Sequence, residues 1–526
     1  MKYTKHMTTK NTPQSQPIMG MNQVKNNAGG YAFPVSDQVG LERFLTLGSE
    51  GGTFYVSEQK LTQDNAKSII QMIEKNGVDV VDTVAKFTSS GRALKQDPSL
   101  FVLALACTWG NLQTRQAAYK AISNVARTST HLFTFCQMIQ DLRGWSRGLR
   151  NAVNRWYEAK DNDQLAYQLV KYRQRNGWTH RDVLRLAHPK PDTEARAYMY
   201  RYAVGKPVDT NAEHLPDIIG AFELAQNTTN VLELVSLIQK YGLTWEMIPT
   251  EMLNHAKVLE ALLYHQMPAT AMLRNLNRFA IVGLTKERTN AATKFITNVI
   301  TNRESLKHGH VHPITILNTL KVYGSGHGHR GGQSWTPNQA IVDALAEAFE
   351  LSFEYMIPTG KKILVAVDVS GSMQDSISNM ALTCAEASAA LLMTFLRTEP
   401  NVEPLYFDTD AHTPKIGKRS SYKEVLADSH ARGGTDCSVP YNYASRKGLH
   451  FDSIVTLTDS ETWYGSNHPV QAYKQYKKAI NPDVKTAVVG MTATGFSIFP
   501  AEDTNALNVA GFDAGVPTLI NNFIRE

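Results

Sequence analysis

Five residues with hard oxygen side chains, Asp368, Ser370, Ser372, Thr435 and Asp459, stand in three short, separate segments: Asp368-Val-Ser370-Gly-Ser372, Gly433-Gly434-Thr435-Asp436 and Leu457-Thr458-Asp459. Two carboxylates and three hydroxyls, with no thiol or imidazole among them, suit a hard octahedral divalent cation, Mg²⁺ above all. Ser370, Ser372 and Thr435 are the expected direct ligands, with Asp368 and Asp459 reaching the metal directly or through water. Any one of these segments alone reads more readily as a helix cap after a strand. The three together favour the metal.

An Asp directly after a first strand is also where aspartyl-phosphate hydrolases of the haloacid dehalogenase type carry their nucleophile. Those enzymes usually place a second Asp two residues on. Here that position is Ser370, which removes the expected acid/base and leaves a non-catalytic metal-ion-dependent adhesion site as the simpler reading.

A second chemistry lies upstream. Between Asn111 and Lys206 there are 17 Lys/Arg against 7 Asp/Glu, although the whole chain carries only 54 against 48, a net charge of +6. The positive potential of this stretch calls for a polyanion, nucleic acid first. Arg143, Arg147 and Arg150 fall at i, i+4, i+7, the spacing of one helical face, and Lys171 and Arg175 repeat the i, i+4 step. After the breaker Asn176-Gly177, the Thr179-x-x-Asp182 start signal opens a helix carrying Arg181, Arg185 and His188, again at i, i+4, i+7. Like charges so placed repel unless something compensates, and phosphates would. Eight aromatic residues from Trp156 to Tyr202 interleave with these cations. Most are expected in the core, and any left exposed would stack on unpaired bases.

Two kinds of element must position these groups. From Gly40 to about Phe353 apolar residues recur at three- and four-residue intervals, so this part reads as helices throughout. Pro216, Pro249, Pro268 and Pro313 mark first turns, and their irregular separations fit a stack of degenerate helix pairs better than a strict-period array. After Pro358-Thr-Gly360 the pattern changes. Apolar runs at Ile363–Val367, Val402–Phe407, Ser453–Leu457 and Val484–Val489 alternate with helical stretches, the βαβα order of a doubly wound sheet whose strand ends carry the Asp/Ser/Thr set. Residues up to Asn27 are polar and aperiodic and read as a flexible tail.

Several classes fall away on composition. A chain of 526 residues with 42% hydrophobic and 19% charged residues is neither disordered nor a stapled mini-domain. Four dispersed cysteines (Cys107, Cys136, Cys384, Cys437) suggest a reducing compartment, and without a signal-peptide pattern or a span-length apolar run a cytoplasmic protein is expected, with no membrane partner. His308, His310, His312, His327 and His329 read as loop histidines, some touching RNA, and Gly48–Thr53 as a turn, because it lacks the Lys of a phosphate-binding loop.

Long stretches of the chain resemble one family, that of the Ro autoantigen, in which a TROVE domain precedes a von Willebrand factor A domain. They include RFLTLGSEGGTFYVSEQKL from Arg43, KYRQRNGWTHRDVLRLAHPKP from Lys171, GHGHRGG from Gly326, LVAVDVSGSM from Leu364, GGTDCSVP from Gly433 and TLTDSET from Thr456. The resemblance implies a tail over 1–27, a closed ring of HEAT-like repeats over 28–360 and a von Willebrand factor A-like domain over 361–526. It also implies RNA quality control by a non-catalytic monomer. Small non-coding Y or Y-like RNA would lie on the basic outer surface, and single-stranded 3′ ends of misfolded RNA would enter the central hole. Lys171 and His188 match positions associated with Y RNA contact in the family, with Arg173, Arg175 and Arg185 as neighbours. An exoribonuclease or another protein at the metal site is the expected further partner, since bacterial relatives work beside exoribonucleases, but the match itself does not imply it. The competing reading is an Mg²⁺-dependent protein-interaction module for which the helices are scaffold.

Overall fold

The computed structural model describes residues 11–525 except 51, 54, 94, 210–211, 214, 266, 310, 330, 353–356, 378–379, 430–432 and 512–515. The described chain forms two compact units. One joins the N-terminal segment through Ser68 to His312–Lys321 and Phe349–Glu526; the other comprises Ile69–Val311 and Val322–Ala348.

The first unit is built on a six-stranded sheet. Its strands run Ala506–Ala510, Lys485–Gly490, Ser453–Thr458, Lys362–Asp368, Asn401–Phe407 and Ala411–His412 across the sheet. All neighbours are parallel except the last pair. A parallel strand covered on both faces has no polar side, which is why every residue of Ser453–Thr458 is buried and why these strands read as unbroken apolar runs. Leu364, Ala366, Leu405, Ile454 and Val488 share a core with Tyr441, Tyr473 and Tyr476 from the Val439–Arg446 and Pro469–Ala479 helices. The four expected strands are present. The Ala411–His412 and Ala506–Ala510 strands were not expected, the first being too short for a pattern and the second broken by Asn508.

The N-terminal segment is not a free tail over its described part. Tyr31–Pro34 pairs antiparallel with both Val24–Lys25 and Phe496–Ser497. Gln14 is fully buried, its amide donating to Asp436 Oδ1 at 2.6 Å and to the Asn467 carbonyl at 2.9 Å. Arg43, also fully buried, donates from Nη1 to the carbonyls of Thr494 (3.1 Å) and Phe496 (2.7 Å). The expectation of a flexible 1–27 segment is therefore corrected for residues 11–27. A polar, aperiodic stretch reads as disorder only while its partners, here more than 400 residues away, are out of view. Residues 1–10 lie outside the described residues.

The second unit is helical, as expected. Pro216 and Pro268 immediately precede the Asp217–Asn227 and Ala269–Ile281 helices. Pro249 opens no α-helix: a 3₁₀ turn at Met252–Asn254 follows it, and the helix starts at Ala256. Asn176-Gly177, both at positive φ, form the turn of a two-strand hairpin between Gln174–Arg175 and Trp178–Thr179.

Candidate functional site

The three oxygen-bearing segments converge at the carboxyl ends of the central strands. Asp368 ends its strand with 0% exposure, and Ser370, Ser372, Thr435 and Asp459 are equally enclosed. The Ser370 amide donates to Asp368 Oδ1 (2.9 Å), and the Ser370 and Ser372 hydroxyls lie 3.3 Å apart. The Ser372 hydroxyl also bonds Asp459. A 3.4 Å bond from the Gly371 amide to the Gly433 carbonyl draws in the loop carrying Thr435. All five expected residues are thus brought together.

The electrostatics of the cluster ask for a cation. Burial, and then the neighbouring Asp459, push the Asp368 carboxyl up to about 7. Burial raises Asp459 as well. Two enclosed carboxylates cannot both ionise cheaply without a positive charge between them. The Thr435 hydroxyl is buried with no hydrogen-bond partner among the described residues, as a ligand atom awaiting a cation would be. Such a site depends on its hydroxyls, since among the described residues no group of three or more His, Cys, Asp or Glu is arranged to hold a metal. The histidine set forms no such group either: His308 is exposed and His312 buried, while His310 lies outside the described residues.

Sequence reasoning missed four residues around this cluster. Burial raises the Tyr55 pKa, with Asp459 and Glu461 adding to the rise and the Ser372 side chain opposing it, which places Tyr55 at the cluster. It lies two residues after the Gly48–Thr53 segment, whose turn reading gave no hint of this placement. Glu461, raised to about 7 by burial and by Asp459, accepts from the amides of Asn27 (2.9 Å) and Ala28 (3.0 Å) and from the Asn27 side chain (2.7 Å). Trp463 and Tyr464 donate their amides to the Thr435 carbonyl, each at 3.1 Å, and are exposed. The Asp459-Ser-Glu461-Thr-Trp463-Tyr464 run was the available signal, but only its first residue had been read for chemistry.

The basic residues of the helical unit are less uniform than their spacing suggested. Thr179 caps the His180–Ala187 helix in a reciprocal pair with Asp182, as expected. Arg181 and Arg185 are exposed one turn apart on that helix, and His188, exposed at its left-handed C-cap, completes the stripe. Arg181, Arg185 and His188 line a cleft of about 680 Å³ with Arg201 and Lys206. Arg173, Arg181 and Lys206 line a second cleft of about 750 Å³. Arg201 and Lys206 add to the expected set. Neither they nor Arg173, Arg175, Arg181 and Arg185 form an ion pair among the described residues.

Two expectations of shared helical faces need correction. Lys171 ends its helix and Arg175 lies in the hairpin, so they share no helical face. The Lys171 side chain is only 10% exposed, hydrogen-bonded to the Tyr167 hydroxyl (2.8 Å) and 3.7 Å from Glu246. Arg143 is the C-cap of the Ser129–Leu142 helix, its guanidinium donating to the Cys107 carbonyl, whereas Arg147 and Arg150 open the next helix, both exposed. A break in the helix defeats the i, i+4 rule in each case. Of the eight aromatics, Trp156, Tyr157 and Tyr200 are buried and the others half-buried.

Comparison with known proteins finds two families along the chain. A TROVE domain model matches residues 24–321 and a Ro60 vWA domain model residues 362–524. Among curated proteins, "RNA-binding protein RO60" of Deinococcus radiodurans is 37% identical over 98% of this chain and 97% of its own length. The Caenorhabditis elegans protein of the same name is 34% identical over 98% of this chain and 92% of its own. The crystal structure of the Deinococcus radiodurans RO (RSR) protein superposes with a TM-score of 0.72 at 35% identity, covering 93% of this chain and 99% of that one.

Proposed function

From the premise that this chain belongs to the RO60 family, with its TROVE and von Willebrand factor A domains, we propose that it is a non-catalytic RNA-binding protein of the cytoplasm. In this reading it carries a small Y or Y-like RNA on its basic surface, takes single-stranded 3′ ends of misfolded RNAs, and serves RNA quality control as a monomer. The observation that carries it is the stripe of Arg181, Arg185 and His188 between two clefts. Its guanidinium groups are solvent-facing and without carboxylate partners among the described residues. Side chains so arranged gain by neutralising phosphates and releasing their counterions. Ultraviolet crosslinking of bound RNA, followed by peptide mapping, should recover peptides from residues 173–206. Crosslinks confined to other segments would displace this surface.

The C-terminal unit is proposed to hold Mg²⁺, with Ser370, Ser372 and Thr435 as ligands and Asp368 and Asp459 direct or through water. The unpartnered Thr435 hydroxyl favours this. The bound cation would supply an electrophilic position for an oxygen ligand of a partner, an exoribonuclease or another protein. The residues of this chain do the rest: the carboxylates balance the charge and the Ser370 amide orients Asp368.

A further inference from the structure

Beside the proposed cation site the chain exposes two large aromatic side chains in succession, Trp463 at 39% and Tyr464 at 48%. Their backbone is fixed, because both amides donate to the carbonyl of Thr435, itself a proposed ligand. Their rings are ordered too. The Trp463 ring lies flat enough on Gly434 that a Cβ there would come within 2.5 Å of it, and the Trp463 and Tyr464 rings meet edge to face with centroids 5.8 Å apart. Exposed aromatics pinned to a ligand loop are poorly explained by folding, since burying them would stabilise the domain and leaving them in water does not. They are the side-chain types that anchor interfaces.

We propose that Trp463 and Tyr464 form a recognition shelf for a protein segment in which a carboxylate, bound by the metal, is followed or preceded by an apolar side chain packed on the two rings. The inference rests on the cation reading above and names its partner class. Charge decides between a peptide and a nucleic acid. Asp436, next to the proposed ligand Thr435, and Glu461, two residues after Asp459, place two more enclosed carboxyl groups on the ligand loops, so the surroundings of the site are acidic beyond the two ligand carboxylates. A polyphosphate chain would meet this field at every residue. A peptide brings one carboxylate to the cation and an uncharged neighbour to the rings.

A phage-displayed heptapeptide library selected on the full chain in millimolar MgCl₂ tests this. The expected outcome is enrichment of Asp or Glu within two positions of Leu, Ile, Phe or Trp, with EDTA releasing the bound phage. Synthetic versions of these peptides should bind Trp463→Ala/Tyr464→Ala at least about tenfold more weakly, while the heat of Mg²⁺ binding to that variant stays that of the parent. Selected peptides lacking an acidic residue, or bound equally by the double variant, would overturn the shelf with the cation site intact. So would a decauridylate probe that binds only when both rings are present. No Mg²⁺ binding by the parent chain would instead sink the cation reading, and the shelf with it.

Discussion

The Thr458 hydroxyl donates to Asp368 Oδ2 at 2.6 Å, while the other oxygen of the same carboxylate accepts from the Ser370 amide. Asp368 is thereby oriented before any cation arrives, and burial beside Asp459 makes its ionisation costly. Its carboxyl titrates near its ordinary 3.8 when unfolded and near 7 when folded. Between those values the native state keeps a proton that the unfolded chain has lost, so metal-free stability falls as pH rises from about 4 to 7. Mg²⁺ must displace that proton. The rise in Tm on adding Mg²⁺ should therefore be larger at pH 8 than at pH 6, as differential scanning calorimetry will show. A pH-independent rise would contradict it.

Thr435→Val separates ligand from scaffold. The buried hydroxyl has no partner among the described residues, so an isosteric methyl should leave metal-free stability unchanged or raise it by about 1 kcal/mol. The Mg²⁺-induced shift in Tm should disappear in the same variant. Loss of stability without metal would mean that the hydroxyl is already bonded.

Gln14→Ala tests the N-terminal segment. It removes two buried donors, one to a carboxylate, and an acceptor for the Thr462 hydroxyl. Urea unfolding should show a loss of about 2–3 kcal/mol. A free tail would show none.

In the helical unit, His180 is fully buried with Nε2 donating to the Gln168 carbonyl (3.3 Å), which leaves Nδ1 to accept from the Tyr157 hydroxyl (2.9 Å). Burial lowers both His180 and His131 from 6.5 to about 4. A depressed imidazole contributes stability that is complete above about 6.5 and lost as pH falls toward 4, about 2 kcal/mol for each by pH 5. Amide protection factors around these helices should fall below pH 6, and His180→Gln should flatten that dependence.

What the sequence disclosed follows how local each signal is. The parallel strands were legible because burial on both faces makes each an apolar run, and the Thr179–Asp182 cap because both partners lie within one helical turn. The oxygen cluster was legible because strand ends in a doubly wound sheet converge. Gln14, Asn27 and Tyr55 escaped because their partners are hundreds of residues away and carry no periodicity. Lys171 misled for a related reason: its charge is visible in the sequence, but the Tyr167 and Glu246 groups that engage it are set by packing. The family resemblance supplied the order of the domains but not the use of residues 11–47, which the structure builds into the sheet-containing unit.

The most direct measurement is the salt dependence of binding to a small structured RNA, comparing the parent chain with Arg175→Gln/Arg181→Gln/Arg185→Gln. All three side chains are exposed and unpaired among the described residues, so thermal unfolding should be unchanged. Affinity should fall by at least about tenfold and the log–log slope should shrink by about 0.7–0.9 per lost phosphate contact. Equal affinity and an equal slope in the two proteins would contradict the account.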